Sequence, residues 1–104
     1  MQRDAERVDR FSRAVGPEMC STLTGEWEAI ASAQPIQHSF FRDIATACRR
    51  ANVPPEAMLV AVRTLSRALF DHATPEAQRI ETAWNDVVRT MMDGYYTPEP
   101  LRPD

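Results

Sequence analysis

The chain has 104 residues, of which 43% are hydrophobic and 26% charged, and a formal net charge of −3. That length suits one domain with a core of its own, and the composition excludes a disordered or disulfide-stapled chain. All twelve basic residues are arginine. The absence of lysine rules out chemistry that rests on a phosphate-loop or Schiff-base lysine, and the all-arginine usage suggests a GC-rich, bacterial coding genome. The acidic balance gives no long-range attraction to phosphate backbones or anionic lipid.

The first residues, Met1 to Glu6, are charged and lead into no apolar run, so no signal peptide is expected. The longest unbroken apolar run, Ala57 to Val62, falls far short of the ~20 residues that span a bilayer. A cytoplasmic location follows as the expectation, and there Cys20 and Cys48 read as reduced thiols in the core.

Helix-breaking residues divide the chain into segments with helical periodicity, and the expected fold is all-α. It is a small bundle of about five helices, three long and one or two short, with residues 1–96 as one domain and 97–104 as a proline-rich extended tail. The first helix is expected from about Arg3 to Val15, with Ala5, Val8, Phe11 and Val15 inward and Glu6–Arg10 and Asp9–Arg13 paired on the outside. Gly16-Pro17 ends it. Between Pro17 and Gln34 two short helices are expected, broken near Gly25, the second running from about Glu26 to Ala33 with Thr24 as its N-cap.

A strong amphipathic helix follows over about Ile36 to Ala51, with Asn52 as a left-handed terminator and Pro54-Pro55 forbidding continuation. The next helix, about Pro55 to Asp71, is apolar over most of its circumference through Met58, Leu59, Val60, Ala61, Val62, Leu65, Leu69 and Phe70, which predicts a central place in the bundle. Thr74-Pro75-Glu76 opens the last helix with a cap, a first-turn proline and an acid, and Asp93-Gly94 is expected to close it.

Candidate chemistry is sparse. Cys20, His38, Cys48 and His72 are separated by at least nine residues each, without the tight local pairs that organise a zinc site. No metal, cofactor or catalytic set is therefore nominated, and a thiol or metal site joining Cys20 to Cys48 is the weakest alternative. The segments 36–51 and 55–71 outline a helix-turn-helix, giving a DNA-binding regulator as the main alternative, with Arg49 and Arg50 meeting the duplex. Against it, the second helix opens Pro55-Glu56-Ala57-Met58-Leu59, acidic and then apolar, where a recognition helix must be polar and basic. Nucleic acid is thus disfavoured as a partner.

What remains is a binding surface. Tyr95, Tyr96, Met92 and Leu101 are the expected contacts, the tyrosines because aromatics concentrate at interfaces and Leu101 because Pro100-Leu101-Arg102-Pro103 has the P-x-x-P form. The sequence thus reads as a non-enzymatic helical interaction module, or the small subunit of an assembly, whose partner is another protein or a second copy of the chain.

Overall fold

A computed structural model of the chain describes residues 2–69 and 74–96, with side chains from 5–67 and 74–96. Five α-helices are present among the described residues: α1 Gln2–Val15, α2 Pro17–Ala31, α3 His38–Arg50, α4 Pro55–Leu69 and α5 Pro75–Tyr96. No strand occurs among them. The fold is an all-α bundle.

Helix α1 docks one face, Val8, Phe11, Ala14 and Val15, onto the core, while Ala5 is exposed rather than inward. Arg13 pairs with Asp9 at 2.7 Å as the i,i+4 spacing implies, whereas Arg10 donates to the carbonyl of Asn52 at 3.3 Å and so ties α1 to the turn before α4. Gly16 alone separates α1 from α2: its N–H closes α1 on Ser12 O and its carbonyl accepts from Cys20 N–H to open α2. Its φ of 88° and ψ of 163° lie in a region open essentially to glycine alone.

The expected break near Gly25 does not occur. One helix of 15 residues runs through it, and Thr24 is no cap: its hydroxyl donates back to Cys20 O. A mid-helix glycine costs about 1 kcal/mol, whereas burying Leu23, Trp27 and Ile30 on one continuous face returns ~1.5–3 kcal/mol per large side chain. Packing outweighs the local preference. The helix ends in a Schellman pattern with Ala33 at φ 68°, where Gln34 N–H reaches Ala29 O and Ala33 N–H reaches Ile30 O. Helix α3 ends the same way. Asn52 has φ 60°, Val53 N–H bonds Cys48 O, and Asn52 N–H bonds Arg49 O, which makes Asn52 the left-handed terminator its sequence position implies.

Helix α3 begins at His38, two residues later than the periodicity suggests, and Ile36 packs on the core from the extended segment before it. At α5 the Thr74 hydroxyl accepts from Ala77 N–H at 3.1 Å, the geometry of an N-cap. Gly94 does not close α5, which continues to Tyr96. It lies instead where α5 comes closest to α3: a Cβ there would sit 3.2 Å from Arg42 Cα and 3.3 Å from Ala45 Cβ. The glycine permits helix contact, and Ala45, fully buried, is small for the same reason.

The core is one continuous cluster in which Phe11, Trp27, Phe41, Met58 and Met91 are fully buried. Trp27 stands at its centre, 5.7 Å from the Phe41 ring and 6.2 Å from that of Trp84, distances typical of favourable tilted aromatic pairs. Helix α4 touches all four other helices, which gives it the central place its apolar composition implies. Arg79 of α5 donates to Ala31 O at 2.7 Å, satisfying one of the carbonyls left open at the α2 C-terminus. Among the described residues no helix is long and apolar enough to cross a membrane.

Candidate interaction surface

Helices α4 and α5 run antiparallel: Tyr95, late in α5, reaches Val53 just before α4, and Arg63 late in α4 reaches Glu81 early in α5. α4 turns Ala57, Met58, Ala61, Val62 and Ser66 into the core. Leu59 and Val60 are left half-buried on the side facing α5, which presents Trp84 and Val88 there. An open groove of about 550 Å³ results, with Leu59, Val60, Trp84 and Val88 as its apolar lining and Arg63, Thr64, Arg67 and Asn85 as its polar one.

The groove is ordered by Arg63. Its guanidinium lies 5.1 Å from the centroid of the Trp84 ring and bonds the Glu81 carboxylate. A cation stacked on an aromatic face and held by an acid fixes both the indole and the spacing of the two helices. Nη1 of Arg63 is buried without a hydrogen-bond acceptor among the described residues. Such an arrangement can hold an apolar side chain against Trp84 and offer cations to an acidic neighbour.

Of the four residues expected to make contacts, the structure places three and brings only part of them to the surface. Tyr95 turns inward: it packs on the core and its hydroxyl donates to Val53 O at 2.7 Å, so it anchors the end of α5 to the α3–α4 turn. Tyr96 is 63% exposed and edges against Tyr95. Met92 is half-buried, one turn beyond Val88 on the same side of α5. Leu101, with the whole 97–104 tail, lies outside the described residues, as does His72. Sequence reasoning passed over Trp84, Val60 and Arg63 as a unit. Val60 reads from the sequence only as part of an apolar helix circumference, and the contact between Arg63 and Trp84 spans 21 positions, beyond the reach of any local pattern.

Two other hollows are present. One of about 670 Å³ lies between the α2–α3 connection and the start of α5, lined by Ile30, Pro35, Ile36, Arg79 and Ala83 among others. Another, of about 400 Å³, lies between α1 and the start of α4, with Glu6, Arg7, Arg10 and Glu56 around it. Cys20 is half-buried and Cys48 buried, and both are free thiols. Burial alone pushes the Cys48 thiol up to about 12, which keeps it protonated and unreactive. Among the described residues no three His, Cys, Asp or Glu side chains converge as metal ligands. His38 pairs instead with Asp86 at 3.3 Å on the outer α3–α5 seam. Helices α3 and α4 do adjoin through the Asn52–Pro54 turn, but in the leading turns of α4 Ala57 and Met58 are buried and Glu56 is the exposed side chain. Comparison with family models, with curated proteins and with solved structures finds no match to this chain.

Proposed function

We propose that the chain is a non-enzymatic helical interaction module of the cytoplasm, which docks a protein partner along the open side of α4 and α5. The observation that supports this reading is the groove floored by Leu59, Val60, Trp84 and Val88. Val60 and Val88 lie toward solvent on a bundle that has a complete core without them, and a row of half-exposed apolar side chains beside ordered cations is the composition of a docking face. Tyr96 and Met92 extend the face toward the end of α5.

Photo-cross-linking in cells that make the protein tests the reading. A photoreactive residue at Val60 or Val88 is expected to give discrete adducts, either to a foreign protein or to the chain itself. The same residue at exposed Thr22 of α2 serves as control. Equal labelling at all three positions would overturn the assignment.

A further inference from the structure

The connection between α1 and α2 is a single residue, and its geometry makes α1 separable from the helix that follows. We propose that Gly16 is a one-torsion hinge, and that the seat of α1 on the bundle also accepts α1 of a second copy of this chain, giving a dimer by exchange of that helix. The inference does not involve the α4–α5 groove. It concerns a face whose occupant, α1, is already in place.

Two hydrogen bonds meet at Gly16, and neither crosses its N–Cα bond. The N–H lies in the peptide plane that travels with α1 and bonds Ser12 O; the carbonyl travels with α2 and accepts from Cys20 N–H. Rotation about φ therefore swings one helix relative to the other and breaks neither bond. Pro17 holds the second torsion, because a residue before proline keeps ψ near about 120–160°, and Gly16 has ψ 163°. What returns α1 to its own bundle is φ alone, at 88°. At about −75°, the ordinary extended value, α1 swings away from that seat.

The seat fits this helix. Phe11 is fully buried in the core, with Val8, Ala14 and Val15 packed against it. Helix α1 rests more on α4 than on α2, and Arg10 reaches Asn52 O at 3.3 Å. Most of what holds α1 is thus independent of the helix it is joined to. An α1 from a second copy presents the same side chains in the same order, as exchange of identical elements requires. With one residue in the connection, both hinges must lie close to the two-fold axis, and Pro17 and Glu18 are exposed there.

Glycine takes either sign of φ, and a helix tethered by one residue outcompetes a free copy through its effective concentration. The wild type therefore keeps its own α1. Alanine at position 16 reverses the balance. Its Cβ would meet nothing within 4 Å, so only the torsion changes. The combination of φ 88° and ψ 163° is closed to alanine, which disfavours the closed monomer by about 5- to 150-fold per chain. The extended φ of the exchanged dimer is open to it.

Sedimentation of the full-length G16A variant, refolded from urea at about 5 to 500 μM, tests the proposal by mass action. The variant is expected to be monomeric at the lower end and dimeric at the upper, with the wild-type helical signal by circular dichroism. Inserting Gly-Ser-Gly-Ser between positions 16 and 17 of G16A lets α1 fold back, and the monomer should return across the range. Co-refolding carbon-13-labelled with unlabelled G16A locates α1 in the dimer: isotope-filtered spectra should show contacts from the Phe11 ring of one copy to core methyl groups of the other. A folded G16A monomer at about 500 μM, a dimer without those contacts, or an inserted variant that still dimerises would overturn the exchange. Loss of the helical signal in G16A would overturn it as well, since the seat would then be filled from neither copy. Each of these results leaves the docking reading to the cross-linking at Val60 and Val88.

Discussion

Two glycines inside helices should respond in opposite directions to the same substitution. Gly25 is exposed on α2, and a Cβ there would meet nothing within 4 Å. G25A therefore gains helix propensity and nothing else, and should stabilise the protein by about 0.5–1 kcal/mol. At Gly94 a Cβ would stand 3.2 Å from the backbone of Arg42 and 3.3 Å from Ala45 Cβ, inside the ~3.5–4.0 Å at which carbon atoms attract. The obstacle is the α3 backbone, not the end of a flexible side chain, so α3 and α5 must separate by a few tenths of an ångström. That seam holds Phe41, Ile44, Cys48, Val87 and Met91, all buried. Overpacking of this kind costs about 1–3 kcal/mol, and the propensity gain is small because Gly94 is two residues from the helix end. The net expectation for G94A is a loss of about 0.5–3 kcal/mol, and its gap from G25A is about 1–4 kcal/mol. Urea unfolding followed at 222 nm reads this directly, as a midpoint that rises for G25A and falls for G94A. A G94A midpoint that rises as far as that of G25A would refute the close α3–α5 approach.

Further expectations follow from single contacts. G16A should cost about 1–3 kcal/mol because the φ of 88° is closed to alanine, measured in the same urea assay. A33G relieves a left-handed alanine at the end of α2 and should raise stability by about 1 kcal/mol, read as a higher urea midpoint. Y95F removes the bond to Val53 O and should cost about 1 kcal/mol, with amide exchange of Val53 and the last turn of α5 accelerating. The Cys48 thiol is neutral in the fold up to about pH 12, whereas its ordinary value is 9.0. Its contribution is thus fully present below pH 9 and is lost from there toward pH 12, as the unfolded chain gives up the proton first, at about tenfold in the folding equilibrium per pH unit. Stability measured between pH 8 and 10.5 should fall more steeply for the wild type than for C48A; equal slopes would contradict the burial of the thiol.

Much of the fold was legible in the sequence, because proline and glycine carry a backbone cost that no neighbour removes. Pro17, Pro55 and Pro75 each open a helix at its first position, and Thr74 and Asn52 cap as their chemistry dictates. The two misread glycines share one cause. Gly25 and Gly94 have the residue type of a terminator, yet at both positions tertiary contact decides: α2 continues to bury Trp27, and α5 continues so that Tyr95 can reach Val53. Ala33 takes a conformation reserved for glycine or asparagine because the Schellman bonds and the docked Arg79 hold the α2 end in place. At the candidate site, the sequence announced a surplus of apolar surface on α4 but not where it opens. That depends on which helix lies beside it, and the pairing of Arg63 with Trp84 and Glu81 becomes visible only once α5 has folded back.

A docking surface on the outer side of α4 and α5 is tested most directly by a dilution series of amide spectra of the uniformly labelled chain. Between about 10 μM and 1 mM, spanning the weak affinity of a small interface, the amides of Val60, Thr64, Asn85 and Val88 should shift along one binding curve. Those of α1 and of the outer face of α2 should stay fixed. Shifts centred on α1 and α2 would contradict that placement, and spectra that do not change with concentration would remove self-association and leave a foreign protein as the partner.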